Sequence, residues 1–383
     1  MKIAYVAPYT TIPSKTANSV HVMKMCDSYV SLDNVEVFLF VSRNKTLSKN
    51  QDVFKQYELI HEFPIIEILI SRYNFFRILQ FFLFFPIFLK LKQVDYVHTR
   101  NLSVALGCVL FRIPTILELH DSPVSNKRGF NIFKKCMKSK FLVRLIVITE
   151  ALKKHLIDIF PSSSNKLLHL PDGVSEKSLK VKNVTKNDRD SLGIKFDFCC
   201  VYTGHLYKGR GIDLIINLAE LAPDIGFYIV GGNDESVAFY RRKCAEIFNI
   251  HFVGFVNLEL VRKYQLAGDI LLMPYENEVF VSGSAGNSTS PFASPLKMFE
   301  YMATGRVIIS SQLPVLYEVL REGENAIMIE YDDVNGWLTA IRRLQKNPEI
   351  GVFIGEAAKK DVACFTWENR VRTIIKYLKI SSS

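Results

Sequence analysis

The residues best suited to chemistry lie in ASPLKMFEYMATGRVIISS, residues 293–311. Ser294 is a good helix N-cap, and Pro295 suits the first helical position, where its missing N–H would lack a partner anyway. A helix starting there points the N–H groups of Leu296, Lys297 and Met298 at the preceding loop. Aligned N–H groups and the helix dipole make such an end attractive to an anion. That loop, VSGSAGNSTSPFA, is rich in Gly and Ser, so its backbone can come close to a phosphate. Glu300 follows one to two turns later, between Phe299 and Tyr301. A carboxylate among apolar neighbours must be paired or serve a ligand. One turn beyond a diphosphate it is placed to accept hydrogen bonds from ribose hydroxyls. The competing reading is a structural acid held by backbone or by an arginine.

A second group sits in YTGHLYKGRGIDLI, residues 202–215. A strand ends at Thr203, a loop holding Gly204, His205, Lys208 and Arg210 follows, and a helix begins near Ile212. Glycine permits the tight turn, and Lys208 or Arg210 can reach a diphosphate. The spacing matches neither the dinucleotide fingerprint nor a Walker loop. A third group is TILELHDSP, where Glu118 and His120 lie two apart and so face one side of a strand near its carboxyl end. Arg100 ends another strand, in YVHTRN. A lone histidine is more often a satisfied structural side chain, and its place at a strand end is what favours a working role here. No DxD loop and no His/Cys set with metal-ligand spacing is visible, so no metal or other cofactor is expected.

These groups need a scaffold. The 383 residues exceed one ordinary core and point to two domains. Apolar residues make up 49 % and charged residues 22 %, a globular composition. Seven scattered cysteines with no CxxC pair read as reduced core thiols of a cytoplasmic protein. The apolar run at the start of MKIAYVAPYTTIP ends at Pro8 and reads as a first strand rather than a signal peptide. Short apolar runs alternate with helical patterns in both halves, which predicts parallel sheets covered by helices. The lysine-rich stretch 175–193 has the composition of a linker. The organisation expected is an α/β chain of two doubly wound Rossmann-like domains, 1–178 and 179–362, with a final basic amphipathic helix in 363–383 that crosses back to the first domain. In such sheets ligands bind at the carboxyl ends of strands.

The net charge of +10 calls for an anionic partner. No basic motif interleaved with aromatics is present, so nucleic acid is not expected. RYNFFRILQFFLFFPIFLKLKQ, residues 72–93, holds seven phenylalanines between Arg72 and Lys92. Fifteen helical residues reach about 22 Å, short of a bilayer's hydrocarbon core of roughly 30 Å. One reading buries this helix wholly in the first domain. The favoured reading dips Phe75, Phe76, Phe81, Phe82 and Phe85 into a lipid interface, with Arg72 and its basic companions on anionic headgroups.

The order strand-Gly-x-Leu-x-x-x-Arg-Gly-helix, then IVGG, then FVGFV, then ELVRKYQLAGDILLMPY, then SPLKMFEYMATGRVIISSQLPVLYEVL closely resembles retaining glycosyltransferases of family 4 with the GT-B fold. TANSVHVMKM, YVHTR, LELHDSP, VITEALKKHL and LPDGV extend the resemblance over the first half. It implies a nucleoside-diphosphate-sugar donor held by the second domain and a glycan or lipid-linked glycan acceptor on the first, with Arg100 and Glu118 on the acceptor side. It implies that Glu300 holds the ribose, that the backbone at Leu296 and Lys297 meets the diphosphate, and that Arg210 neutralises it. His205 and Lys208 fall where members carry further basic or hydroxyl residues, with the register between Lys208 and Arg210 open. Gly254, Phe255 and Val256 fall where the base rests. His120 matches a histidine near the donor sugar, and Asn18 and Ser19 replace glycines of a donor-side loop. Many members carry Glu-x7-Glu, and here the first of that pair is Phe292. The donor sugar is then expected to meet backbone of residues 288–293. The resemblance implies a metal-independent transferase of surface-polysaccharide assembly, peripheral on the inner face of the cytoplasmic membrane. A non-catalytic scaffold partner of a membrane transferase and a nucleotide-sugar epimerase are the alternatives.

Overall fold

The computed structural model describes residues 1–43, 52–125, 127–180, 184–278 and 290–380. It divides into two compact units, one of 1–172 with 367–383 and one of 173–366. The divide falls at Gly173 rather than 178, and the returning segment begins at Trp367 rather than 363. The reason is local: Val174 N donates to Phe365 O at 3.0 Å, and Val174 bridges to Thr366, so both crossings lie side by side. Gly173 permits this, since a Cβ there would meet Phe365 O at 2.4 Å.

The first unit holds a parallel seven-stranded sheet in the order β3-β2-β1-β4-β5-β6-β7. Its strands are β1 (Lys2–Thr11), β2 (Glu36–Ser42), β3 (Ile65–Ile68), β4 (Tyr96–Thr99), β5 (Thr115–Leu119), β6 (Leu142–Val147) and β7 (Leu167–His169). The second unit holds a parallel six-stranded sheet in the order β10-β9-β8-β11-β12-β13. Its strands are β8 (Cys199–Thr203), β9 (Gly226–Val230), β10 (Ile250–Gly254), β11 (Ile270–Met273), β12 (Val307–Ser311) and β13 (Ile327–Ile329). Central strands covered on both faces need continuous apolar runs, and CCVYT, GFYIV and ILLM are buried throughout. In each sheet the chain runs outward from the first strand and then returns to its other side. This leaves a topological switch between β1 and β4 and another between β8 and β11, where carboxyl ends of strands open a crevice. The stretch read as a linker is partly helical, with turns at Glu176–Lys180 and a helix Lys186–Ser191 that Thr185 and Asp188 cap reciprocally.

The phenylalanine-rich segment forms one helix, Asn74–Leu91, with a π-helical middle at Gln80–Phe84. Its length and composition suffice to cross a membrane by that criterion alone. Phe85 N–H reaches back five residues to Gln80 O, and Pro86 next to it has no N–H to give. The wider turn lets the helix settle on Gly107, where a Cβ would meet Phe81 O at 2.1 Å. Phe81, Phe85 and Leu89 are buried in a cluster with Val104 and Cys108. The expectation that Phe81 and Phe85 contact lipid is therefore wrong: one-turn spacing puts them on the core side. Phe82 is half-buried, and Arg72, Phe75 and Phe76 are exposed.

Candidate functional site

In the second unit the predicted residues gather at the switch between β8 and β11. The loop after β8 ends at Gly211, whose φ of 70° caps the helix Ile212–Leu221. A Cβ on Gly211 would lie 1.8 Å from Pro274 O, so only glycine lets this loop pack on the end of β11. That packing carries Arg210 onto the ring of Tyr275, 4.9 Å from guanidinium carbon to centroid. Lys297, from the helix Leu296–Thr304, lies over Tyr202 at 3.8 Å and over Tyr275 at 5.1 Å. Two cations thus share one aromatic platform. Both tyrosines are buried. Gly204, with φ of 142°, leaves the room: a Cβ there would lie 2.9 Å from Lys297 Nζ.

The electrostatics are unbalanced. Lys297 Nζ is buried without a hydrogen-bond partner, and so is Arg210 Nε. Burial, then the charge of Arg210, pushes the Lys297 ammonium well below its ordinary pKa. Glu300, one turn further, is oriented by Gln265, whose Nε2 donates to Glu300 Oε2 at 3.3 Å and to Thr203 Oγ1 at 3.1 Å. The Tyr301 hydroxyl accepts from Thr203 N at 2.7 Å and locks the helix to β8. A dianionic group between Arg210 and Lys297 would supply the missing partner, and Glu300 would stand one turn beyond it.

Several expectations change here. Pro295, not Ser294, is the N-cap, with ψ of 122° and no side-chain cap, so the helix starts one residue later. Met298 N is taken by Pro295 O at 2.9 Å, which leaves Leu296 and Lys297 as the N–H groups of the helix end. The second cation is Lys297, through its side chain, while Lys208 is exposed. His205 stacks on Tyr207 at 4.8 Å, and its carbonyl accepts from the Tyr202 hydroxyl. Gly254, with φ of 94° and open space around it, and Val256 lie at the end of β10. The loop 281–289, and with it residues 288 and 289 proposed to meet the sugar, lies outside the described residues. Tyr202, Tyr275 and Gln265 were not anticipated. The PY that ends β11 was the visible hint.

In the first unit Glu118 does not face an acceptor. It is fully buried, with His21 Nε2 at 2.9 Å, His98 Nε2 at 3.0 Å, His120 Nε2 at 2.5 Å and Arg370 at 3.0 Å. Burial alone would raise its pKa, but Arg370 and His21 outweigh that and hold it well below the carboxylate range. His21 also faces Asp172 at 3.1 Å through Nδ1. Burial opposes its charge, yet the two carboxylates prevail and raise its pKa. His21, Glu118, His120 and Asp172 come close enough to hold a metal ion. However, the two nitrogens of His21 serve different carboxylates and Arg370 is inserted among them. This is a buried ion network in which Arg370 stands as the permanent cation facing two carboxylates.

His120 differs from its neighbours. Burial, then Arg100, lowers its pKa to about 4. With Nε2–H on Glu118 the ring is neutral and offers Nδ1 as an acceptor, and 19 % of the side chain is exposed. Arg100 donates to Asn18 Oδ1 at 2.5 Å, and Asn18 Nδ2 to Thr10 Oγ1 at 2.6 Å. Ser19 is buried, its hydroxyl donating to Ser14 O and Thr16 O, so it shapes the loop and cannot touch a donor.

Two parallel sheets of this order, each with its polar residues at a strand switch, define the GT-B class. Residues 197–347 match the family described as Glycosyl transferases group 1. An uncharacterized glycosyltransferase of Methanocaldococcus jannaschii is 22 % identical over 62 % of this chain and 60 % of its own. Alpha-galactosylglucosyldiacylglycerol synthase of Streptococcus pneumoniae is 28 % identical over 45 % of this chain and 43 % of its own. The chain therefore spans less than two thirds of the length of these relatives. Among solved structures, Anabaena HepE in complex with UDP-glucose superposes with a TM-score of 0.73 at 13 % identity, covering 99 % of this chain and all of that one. Residues 197–347 are thus similar to a group 1 glycosyl transferase, and the chain takes the GT-B fold.

Proposed function

We propose that the chain transfers a sugar from a nucleoside-diphosphate sugar to an acceptor hydroxyl with retention of anomeric configuration. The observation that carries this is the buried, unpartnered Lys297 ammonium beside Arg210, with Glu300 one turn away. A diphosphate between the two cations neutralises them, and ribose hydroxyls donate to Glu300. HepE, of the same fold, was solved with UDP-glucose, which supports a uridine donor.

The step is a front-face displacement. The anomeric C–O bond to the diphosphate breaks while the bond to the acceptor oxygen forms, and the acceptor proton passes to the leaving diphosphate oxygen. Arg210, Lys297 and the N–H groups of Leu296 and Lys297 take up the charge that develops there. One such donor contributes about 3–4 kcal/mol. In the first unit, neutral His120 offers Nδ1 as an acceptor for a substrate hydroxyl. With two cations at the leaving group, the reaction has no call for a metal.

For the acceptor we infer a glycan or lipid-linked glycan of bacterial surface polysaccharide assembly, met on the cytoplasmic face of the membrane. The lipid glycosylation in the name of the Streptococcus relative supports a lipid acceptor. Phe292 in place of an acid favours the second reading, a scaffold without turnover. The test is a calorimetric and thermal-shift screen against UDP, GDP, ADP and CMP, followed by product analysis with the sugar form of whichever binds. Selective binding that Glu300→Ala weakens supports the transferase. Binding without sugar transfer supports the scaffold, and isomerised donor without acceptor supports an epimerase.

A further inference from the structure

We propose that the acceptor is acidic: a carboxylate or phosphate on the sugar ring that reacts, or on the ring beside it, pairs with Arg100 at the switch between β1 and β4. This rests on the transferase reading above and names the class of acceptor within it.

Arg100 follows β4 directly, one residue past Thr99, which pairs with Val6 of β1. It is half-buried, and among the described residues its hydrogen-bond partner is a neutral amide, with Nη1 donating to Asn18 Oδ1 at 2.5 Å. Asn18 is held in turn, its Nδ2 donating to the hydroxyl of buried Thr10 at 2.6 Å. The guanidinium is thus aimed, with Nε and Nη2 left for a ligand. Its planar fork matches a carboxylate or phosphate through parallel hydrogen bonds. A structural arginine is ordinarily answered by an acid, as Arg370 is by Glu118 and Arg189 by Asp269. Among the described residues no acid answers Arg100. Glu118 already faces nitrogens from positions 21, 98, 120 and 370 within 3.0 Å, as many as its lone-pair sites. Asp172 faces His21 and Arg370. Asp121, next to His120, is exposed and accepts from Ser122 N at 2.7 Å.

His120 fixes where on the acceptor the charge must sit. It follows β5, the strand beside β4, and its Nδ1 is the acceptor for a substrate hydroxyl. Arg100 is near enough for its charge to weigh on that ring. Neighbouring strands lie about 4.8 Å apart. Arg100 leans to the β1 side, toward Asn18, so its guanidinium stands one to two strand spacings from His120, about 5–10 Å. That is the reach of one sugar ring or of two joined rings. The anion therefore lies close to the hydroxyl at His120 and not at the far end of a glycan. Tyr9, at the end of β1, is 61 % exposed and braced edge-on by Phe81 at 6.1 Å, which adds an aromatic face at the same sheet end. An aromatic face with a few aimed polar groups is the usual make-up of a small-ligand site. A neutral sugar would cover the Arg100 charge without answering it, at a cost in desolvation.

The experiment is calorimetry of the full chain with phenyl β-glucuronide, phenyl β-glucoside 6-phosphate and, as the neutral counterpart, phenyl β-glucoside. Each is titrated with the nucleoside diphosphate from the screen above held at saturation, so that Arg210 and Lys297 are already occupied. The acidic glycosides should bind about 10- to 150-fold more tightly than the neutral one, and the tighter of the two names carboxylate or phosphate as the source of the charge. Arg100→Gln should remove the difference, and Arg100→Lys should keep part of it, as a point charge without the fork. The nucleotide-induced thermal shift should be unchanged in both variants and reports folding independently. Equal binding of the three glycosides, or binding of none, overturns the proposal. So does a preference that survives Arg100→Gln. A folded Arg100→Gln protein that no longer responds to nucleotide also overturns it, since Arg100 would then serve the donor. A chain that binds no nucleotide but prefers the acidic glycosides through Arg100 keeps the anion site and sinks the transferase reading. Sugar transfer to the neutral glycoside as readily as to the acidic ones keeps the transferase and sinks the acidic acceptor.

Discussion

Lys297→Met separates what the site does for folding from what it does for binding. The Arg210 guanidinium carbon and Lys297 Nζ lie 4.9 and 5.1 Å from the centre of the Tyr275 ring, so they are at most about 10 Å apart. At an effective dielectric of about 20, that repulsion is at least about 1.7 kcal/mol. Methionine removes it along with the cost of burying an ammonium, and keeps the stem against Tyr202. The loss is a cation–π contact of about 0.5–2 kcal/mol, partly replaced by sulfur on the ring. The ligand-free protein should thus be as stable as the wild type or melt a few degrees higher, at about 2–4 °C per kcal/mol. Binding moves the other way. A lost charge-assisted contact costs about 1.5–3 kcal/mol, roughly 10- to 150-fold in Kd. Nucleotide at about 100 times the wild-type Kd stabilises by about 2.7 kcal/mol. A variant with 50-fold weaker affinity retains about 0.6 kcal/mol of that. Thermal melts with and without the nucleotide, backed by calorimetry, read both quantities. A ligand-free variant that melts more than about 5 °C lower while keeping the full ligand shift would refute the view that Lys297 is buried for an anion.

Arg210→Ala should lower turnover on the order of a hundredfold or more, measured as sugar transferred at saturating donor; wild-type turnover would remove Arg210 from the reaction. Glu300→Ala should bind the nucleoside diphosphate and its 2′-deoxy form alike, whereas the native protein prefers the ribose form in calorimetry. His120 has its folded pKa lowered to about 4 against 6.5 unfolded. The unfolded chain therefore takes up a proton first, and stability falls by about 3 kcal/mol as pH drops from 6.5 to 4. His120→Gln should remove that share of the slope in urea melts at stepped pH. It should not remove the loss below about 4.5, which belongs to Glu118 and Asp172, whose pKa values are lowered. Transfer activity should persist in excess EDTA; loss restored by Mn²⁺ would contradict a leaving group held by cations of the chain.

The long buried strands were legible because a central parallel strand demands an unbroken apolar run, as in CCVYT and GFYIV. β3 and β13 were not, because each is a short edge strand with half-exposed residues that needs no such run. Arg210 and Glu300 were legible from a glycine-bounded loop and an acid among apolar neighbours. The Lys297 side chain was not, since a lysine at a helix start ordinarily reaches water. Its burial is set by Tyr202 on β8, Tyr275 after β11 and the open space at Gly204, three positions with no sequence proximity to it. Glu118 shows the converse. Its spacing to His120 was right, but its four partners come from positions 21, 98, 120 and 370, and that convergence turns an expected binding residue into the centre of an ion network. The seven phenylalanines looked alike on all sides until Gly107 determined which side faces inward.

The same network bears on how the protein is made. Arg370, from the closing helix Trp367–Ile380, supplies the permanent positive charge that Glu118 and Asp172 face, and donates to Pro171 O at 2.6 Å. Residues 1–172 leave the ribosome long before it. Synthesis of the 194 residues 173–366 that intervene takes about 10–40 s at the usual 5–20 residues per second. Through that interval the nascent first unit holds two buried-to-be carboxylates with only histidines to answer them. The second unit, contiguous in sequence, can finish first, so the half that emerges earliest is the half completed last.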